Sequence, residues 1–156
     1  MRSTRLRESV RALLLTPEPH LLLMQFEDSR GGRLVWLTPG GGVKEGEEPV
    51  DCLRRELHEE TGLSEFEVGP LVWRREHTFH RGGGQRDRFY LVRTGRFDPS
   101  AERMGRKELS LFRGFRWWNP GELEASRELF VPRAIGRHLR DLLDAGPPAR
   151  PVDVGS

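Results

Sequence analysis

Alternating apolar and polar positions divide this chain into short strand-length segments and a few helical ones. Two largely apolar runs, residues 10–15 and 21–26, flank a turn-rich break at residues 16–20, and this pattern predicts a β-hairpin. By the same criterion, further strands are predicted at residues 66–79, 88–94 and 112–118. The polar segment at 98–107 is expected to be a surface loop.

A helix is predicted over residues 47–61, where apolar residues recur at helical spacing. Pro49 falls in its first turn, where a missing N–H costs nothing, and Gly62 follows its end, where a left-handed residue is common. Cys52 is expected at the helix surface or at the edge of its packing. The apolar stripe expected to face a sheet consists of Val50, Leu53 and Leu57.

The last third of the chain combines a short helix with a longer amphipathic one. The longer helix follows Pro132 and continues to about Asp144, with apolar residues at helical spacing. The remainder is rich in proline and glycine and is expected to be disordered. The sequence therefore predicts a single domain at residues 1–146 and a disordered tail at residues 147–156.

Three glutamates in the predicted central helix suggest a chemical function. Glu56, Glu59 and Glu60 are spaced so that all three side chains project from one side of a helix. Like charges at this spacing repel one another, so stability alone gives little reason to keep them. A hard cation such as Mg²⁺ or Mn²⁺ takes oxygen ligands and offsets this charge. An ordinary solvated acidic helix face is the alternative.

Composition and charge narrow the class of protein. With 26 basic and 24 acidic residues among 156, the formal net charge is only +2, too weak to argue for nucleic-acid binding. No apolar stretch is long enough to span a membrane, and no signal peptide is recognisable. Cys52 is the only cysteine, which excludes an internal disulfide and favours a reducing cytoplasm. We therefore expect a cytoplasmic protein without membrane partners.

The segment 41–63 resembles the Nudix box. That pattern is Gly, five residues, Glu, seven residues, then Arg-Glu-apolar-x-Glu-Glu-x-Gly-apolar. The matching residues are Gly41, Glu47, Arg55, Glu56, Leu57, Glu59, Glu60, Gly62 and Leu63. The strands expected around the box extend the resemblance to roughly residues 10–143, although only the box itself is motif-specific.

This resemblance implies a fold, an activity and a set of site residues. It implies the α/β class, with a Nudix-type α/β/α sandwich built on a central mixed β-sheet. It also implies a hydrolase, a pyrophosphatase that cleaves a nucleoside diphosphate linked to another moiety by water attack at phosphorus, with Mg²⁺ as cofactor and Mn²⁺ as a substitute. The family's metal ligands match Glu56, Glu59 and Glu60, and its structural brace matches Glu47 and Arg55. A backbone carbonyl near Gly40 or Gly41 matches a further metal ligand.

The general base and the substrate-binding residues stay open at this point. Glu59 or Glu60 could accept a proton from water, and Glu108, just ahead of the strand at 112–118, lies where many Nudix relatives keep such a glutamate. A basic and aromatic hairpin could hold phosphates on one strand face, or could be half-buried with charged outer residues. Its candidate phosphate contacts are Arg74, His80, Arg86 and Arg88.

Two functions from different classes remain in competition. The first is the Nudix hydrolase, for which the compact length favours a (d)NTP or small nucleotide derivative as substrate. The second is a non-catalytic Nudix domain that senses a nucleotide or binds a partner, and the intact box argues against it. An isoprenoid-diphosphate isomerase ranks lower, because it needs additional cysteine chemistry. Nucleic acid is not expected as a partner apart from a capped RNA end, and a homodimer stays open.

Overall fold

The computed structural model describes residues 5–80 and 82–155. Over these ranges the strands are β1 Leu6–Leu15, β2 Leu21–Glu27, β3 Leu34–Leu37, β4 Gly40–Gly42, β5 Leu71–Thr78, β6 Gly84–Arg93, β7 Phe112–Trp118, β8 Phe130–Val131 and β9 Val152–Asp153. The helices are α1 Pro49–Thr61, α2 Arg106–Leu111, α3 Pro120–Ala125 and α4 Ile135–Ala145.

The strands form one mixed sheet in the order β8-β3-β2-β1-β6-β5-β9, with β4 paired to β1 and β7 to β2. The predicted hairpin is confirmed, since β1 and β2 pair antiparallel at Leu15 and Leu21. The longest pairing of β1 is parallel to β6, from Leu6 opposite Gly84 to Leu15 opposite Arg93. This parallel pairing in a largely antiparallel sheet makes the sheet mixed, as the fold class predicted.

Alternate residues of β1 serve two separate cores. Val10, Ala12 and Leu14 pack with the apolar residues of α1 on one face of the sheet. On the other face, Leu13 and Leu15 belong to a larger core that includes residues of α3 and α4. Because successive side chains of a strand point to opposite faces, one buried strand holds both helical layers together. The result is the expected α/β/α arrangement.

Helix α1 lies where it was predicted, but its packing face is rotated from the expected one. Gly62 ends it with φ of 82° and donates its N–H to the carbonyl of His58. Leu53 and Leu57 are fully buried as expected, whereas Val50 is 37% exposed. Cys52, on the other flank of Leu53 and Leu57, is fully buried instead. The expectation of a surface or edge position for Cys52 is wrong, because this side of α1 is covered by the glycine strand β4.

Several predicted boundaries also change. Strand β5 begins only at Leu71, after Pro70, and β6 begins already at Gly84, where its parallel partner β1 starts to pair with it. The polar stretch predicted as a loop runs into α2 at Arg106, a helix that the sequence patterns did not reveal. No helix in the described residues is long and apolar enough to cross a membrane.

The prediction of a disordered tail from residue 147 is wrong for its final part. Val152 and Asp153 form β9, which pairs parallel with β5 beside Trp73 and Arg74. Val154 follows with only 5% exposure, and its N–H donates to the carbonyl of Arg74 at 3.0 Å. An edge strand carries unpaired backbone groups, and here the tail satisfies some of those of β5.

Candidate active site

The three glutamates in the second half of α1, which faces the glycine strand β4, differ in how deeply they are buried. Glu60 is 2% exposed, whereas the side chains of Glu56 and Glu59 are 13% and 43% exposed. The cluster therefore runs from a buried carboxyl at the sheet to an open one at the surface. A bound molecule could approach from the exposed end.

Glu60 forms the buried end of this cluster and contacts both backbone and another acid. Its Oε1 accepts a hydrogen bond of 2.7 Å from the N–H of Gly40. Burial, followed by a hydrogen bond to the side chain of Glu108 on α2, raises the pKa of Glu60 well above its usual range. Glu60 lies seven residues after Leu53 and three after Leu57, so helical spacing could have predicted its burial.

Glu56 lies directly over Gly41, so a larger residue at that position would displace its carboxylate. A Cβ added to Gly41 would lie 2.5 Å from the carboxyl carbon of Glu56, and one added to Gly40 would lie 2.1 Å from the carbonyl oxygen of Val10. Burial raises the pKa of Glu56, and the charges of Glu59 and Glu108 add to the increase, although Arg55 opposes it. The glycines thus let the carboxylates approach the backbone closely.

Arg55 joins the glutamate cluster to the preceding loop. Its Nε and Nη2 donate to Glu47 Oε2 and Oε1 at 2.9 and 3.0 Å, a bidentate ion pair. The same oxygen Oε1 accepts from the N–H of Lys44, and together these contacts lower the pKa of Glu47 to about 2. Nη1 donates to Glu56 at 2.9 Å and lies 3.6 Å from Glu59. The contacts place Glu47 and Arg55 where a brace between loop and helix would be.

The donor atoms at this cluster fit a hard divalent cation. The atoms that could bind a cation here are carboxylate and carbonyl oxygens. The glutamates also outnumber Arg55, the arginine that contacts them. Among the described residues no three acidic, histidine or cysteine side chains already converge around one point. Arg55 draws two of the glutamates toward itself, and Glu60 is turned to the Gly40 N–H. The carbonyl oxygen of Gly41, a predicted ligand, lies 3.7 Å from the Sγ of Cys52.

Three of the four predicted phosphate contacts of the hairpin lie together on one sheet face, because Arg74 is opposite Arg88 in the β5–β6 pairing and Arg86 is two residues from Arg88. Arg86 is held between Glu8 and Glu76 at 3.1 and 3.0 Å, and these carboxylates raise its pKa. Arg88 lies 3.9 Å from Glu8. Both belong to an ion-pair network on the α1 face of the sheet, which agrees with the alternative of a charged outer strand face. Two further candidates, Arg74 and His80, are exposed.

A second polar site, not predicted from the sequence, lies on the opposite face of the sheet. A cavity of about 210 Å³ opens there between β1, β3, β5 and β6. At its floor Asp87, 3% exposed, accepts from Arg75 at 3.2 Å and from Gln85 at 2.8 Å, with Arg11 Nε at 3.8 Å. The period of two along β6 could have placed Asp87 with Phe89 on the core side, away from Arg86.

The two sites are linked through a single residue, Gly40. The N–H of Gly40 donates to Glu60, and its carbonyl lies 3.5 Å from Arg11 Nη1, which also donates to the carbonyl of Thr38 at 3.1 Å. Arg11 then reaches Asp87. A chain of contacts therefore runs from the glutamate cluster through the sheet to the cavity.

Comparison with known proteins identifies the family. The NUDIX domain model matches residues 5–139. The chain is 32% identical over 121 residues to an RNA pyrophosphohydrolase of Cellvibrio japonicus (67% of this chain, 71% of that protein). It is 33% identical over 97 residues to an RNA pyrophosphohydrolase of Helicobacter pylori strain G27, covering 56% of this chain. That match spans only 63% of the length of the Helicobacter protein.

Solved structures share the fold at lower identity. The E. coli ORF135 protein superposes with a TM-score of 0.70 at 23% identity, over 94% of this chain and 96% of that one. A MutT protein from Methanosarcina mazei Go1 gives 0.71 at 18% identity, over 93% and 99%. With the NUDIX match over most of its length, a mixed sheet of the same architecture and a complete box on α1, this chain belongs to the Nudix family.

Proposed function

We propose that this protein is a Mg²⁺-dependent pyrophosphohydrolase that cleaves a nucleoside diphosphate linked to another moiety, by attack of water at phosphorus. One observation carries the proposal: Glu56, Glu59 and Glu60 line one side of α1, and Glu108 joins them from α2. A diphosphate is highly anionic and resists attack by oxygen nucleophiles. A site of carboxylates alone would repel it, so the proposal requires a cation between the two.

Glu56, Glu59 and Glu60 would hold that cation, with the carbonyl of Gly41 as a further ligand and Mn²⁺ as a substitute. Such an ion supplies charge neutralisation of the phosphate oxygens and orientation of water. Arg55, through its contacts to Glu47 and to Glu56, keeps the carboxylates at a fixed position relative to the loop. The protein's own contribution is therefore the placement of ligands on a rigid helix.

The Glu60–Glu108 pair is the best placed acceptor for the proton of the attacking water. Glu108 contacts Glu60 and is not one of the three proposed cation ligands, so its carboxylate is available to accept that proton. Glu59, which is more exposed, is the remaining candidate. Glu108 therefore takes part in the proposed chemistry, through its contact with Glu60.

The substrate we favour is a nucleoside triphosphate or a small nucleotide derivative. A triphosphorylated or capped RNA 5′ end is the second candidate, because relatives at 32% and 33% identity are RNA pyrophosphohydrolases. Both substrates present the same anhydride to the glutamate cluster. A homodimer and a cytoplasmic location stay predictions from the sequence.

A substrate panel tests the proposal. It contains (d)NTPs, NDP-sugars, dinucleoside polyphosphates, NADH and a short 5′-triphosphorylated RNA, with released phosphate and pyrophosphate measured in Mg²⁺ and in Mn²⁺. We expect metal-dependent product from at least one class and none in EDTA. Heat of nucleotide binding without any product would instead support the non-catalytic domain and overturn the proposed activity.

A further inference from the structure

Arg11 on β1 binds the backbone of the loop that leads into the glycine strand β4. Its Nη1 donates to the carbonyl of Thr38 at 3.1 Å and lies 3.5 Å from the carbonyl oxygen of Gly40. The carbonyl of Pro39, between them, instead accepts from the N–H of Ala12 at 2.8 Å, because alternate carbonyls of an extended chain point to opposite sides. Among the described residues, no other side chain donates to the carbonyls of Thr38 and Gly40.

The sequence of this loop leaves its peptide orientations to be fixed by contacts. Pro39 has no N–H to donate, and it is followed by three glycines at residues 40–42. Glycine restricts its backbone least of all residues, and Gly40 has φ of 150°, a conformation that other residues rarely adopt. A side-chain donor from β1 therefore limits the peptides on either side of Gly40 to one orientation.

Arg11 is itself held by a buried carboxylate. Its Nε lies 3.8 Å from Oδ1 of Asp87, which is 3% exposed and also binds Arg75 and Gln85. A guanidinium is a planar fork, so one part of it can face Asp87 while Nη1 contacts the loop. An ammonium group is a single point charge and cannot span both partners.

The loop held by Arg11 also touches the glutamate cluster. The N–H of Gly40 donates to Glu60 Oε1 at 2.7 Å, and the space over the next residue, Gly41, is filled by the carboxylate of Glu56. The charge of Arg11 also acts on Glu60. A shift of the loop would therefore change where both carboxylates lie.

We propose that Arg11 is a positioning residue for the cation site, because it fixes the loop so that the Gly40 N–H holds Glu60 in place. The inference rests on the proposed function, in which Glu60 and the carbonyl of Gly41 are cation ligands. Arg11 itself touches neither cation nor substrate in this role and acts only through the loop backbone. Groups that orient metal ligands typically contribute about 10- to 100-fold to metal affinity or activity.

Two substitutions separate the position of Arg11 from its charge. Arg11→Met keeps the packing of the side-chain stem but removes every donor, whereas Arg11→Lys keeps the charge without the fork. Arg7→Met is the matched control, since Arg7 lies four residues earlier on the same face of β1 and is exposed. Arg11→Lys, which retains a cation beside Asp87, carries the same measurements if Arg11→Met does not fold.

Amide hydrogen exchange in EDTA is the first measurement, because it needs neither cation nor substrate. In Arg11→Met the amides of residues 40–42 are expected to exchange about ten-fold faster, since the loop loses a charged hydrogen bond. Arg11→Lys should show most of this loss of protection, and Arg7→Met none. The amides of α4 should exchange at the wild-type rate in every variant, which a general loss of stability would not allow.

Metal binding and kinetics are the second and third measurements. Mn²⁺ affinity is followed by electron paramagnetic resonance of the free ion, without substrate, and kcat and KM are measured in Mg²⁺. For Arg11→Met and Arg11→Lys we expect Mn²⁺ binding about ten-fold weaker and kcat about ten-fold lower, with little change in KM. Arg7→Met should match the wild type in all three values.

The outcomes separate this inference from the proposed function. An Arg11→Met protein with wild-type exchange at residues 40–42, or with wild-type Mn²⁺ affinity, would overturn the positioning role. An Arg11→Lys protein that behaves like the wild type would also overturn it, because charge alone would then suffice, and so would faster exchange spread over α4. In each of these cases hydrolysis by the wild type leaves the proposed function standing. Weaker Mn²⁺ binding in Arg11→Met, with no hydrolysis of any substrate by the wild type, would support the positioning role and remove the pyrophosphohydrolase.

Discussion

Glu60 and Asp87 are two almost fully buried carboxylates with opposite surroundings. Glu60 contacts the N–H of Gly40 and a second acid, Glu108. Asp87 on the other face of the sheet is surrounded by two arginines and the amide of Gln85. Charge is left uncompensated in both places, negative at the first and positive at the second.

This difference shows that one small sheet can carry two polar sites of opposite charge, one on each face. A buried charge without its counterpart is costly, so a bound group of the opposite charge would stabilise each site. In the proposed function the glutamate cluster binds a cation, whereas the positive charge around Asp87 favours a hydrogen-bond acceptor. Arg11 stands between them, and its charge acts on Glu60 as well as on Asp87.

The largest effect is expected from Glu60→Gln. The amide still accepts from the Gly40 N–H and can donate to Glu108, so the fold keeps its contacts and loses a like-charge repulsion. Turnover in Mg²⁺ is expected to fall by about 10²- to 10⁴-fold, the usual contribution of a catalytic acid or base. Thermal unfolding in EDTA should occur at the same or a higher temperature.

The control is Glu65→Gln, the same change at an exposed position just beyond α1. It should leave both turnover and unfolding unchanged. A Glu60→Gln protein with wild-type turnover would show that this carboxyl is neither ligand nor base.

Asp87→Ala should affect mainly stability, whereas Glu60→Gln should affect mainly turnover. It leaves Arg75 and Arg11 buried without their carboxylate, which costs about 3–5 kcal/mol of unfolding free energy. Urea unfolding measures this loss. Asp144→Ala, at an exposed position in the last turn of α4, should change stability by no more than about 0.5 kcal/mol. Equal small effects at the two positions would contradict the assigned role of Asp87.

Gly41→Ala tests the close approach of Glu56 to the glycine strand. The added Cβ would overlap the carboxylate at 2.5 Å, so that Glu56 must move. Displacement of a site group by about 1 Å costs on the order of 100-fold in rate. Gly42→Ala is the matched control, since a Cβ there meets its nearest atom only at 3.9 Å. Similar kcat values for the two variants would remove the steric argument.

The smallest effects are expected from pH. Glu47 has a pKa lowered from 4.5 to about 2, so its stabilisation is complete above pH 4.5 and is lost as the pH falls toward 2. For Glu60 the sign is reversed, because its pKa is raised, and stability should decline as the pH rises above 4.5. The unfolding midpoint is measured in EDTA as a function of pH. Compared with the wild type, it should vary less below pH 4.5 in Glu47→Gln and less above pH 4.5 in Glu60→Gln.

The two polar sites, around Glu60 and around Asp87, differed in how far they could be predicted from sequence. Fixed spacing along one helix was enough to bring Glu56, Glu59 and Glu60 together, because helix geometry is local. Asp87 reaches Arg11 only through the parallel pairing of β1 with β6, residues 76 positions apart. That pairing depends on the whole sheet, and no local pattern encodes it.

Errors on the helical side have local causes. Val50 and Cys52 lie about 160° apart around α1, on opposite flanks of Leu53 and Leu57, and the apolar character of Val50 favoured the wrong flank. The covering strand β4 is made of glycines, so there is room beneath it for a small thiol and not for a larger residue. The tail offered no signal, since Val152 and Val154 are isolated apolar residues among polar and proline neighbours.

The burial of Cys52 gives the protein a built-in reporter of motion. Its Sγ lies 3.4 Å from the carbonyl of Gly42, and burial raises the pKa of the thiol to about 12. A thiol of this kind reacts with an alkylating reagent only while it is transiently exposed. Because Cys52 is the only cysteine, the labelling rate measures how often α1 separates from the glycine strand. Ions or nucleotides that hold α1 and the glycine strand together should lower the labelling rate of Cys52.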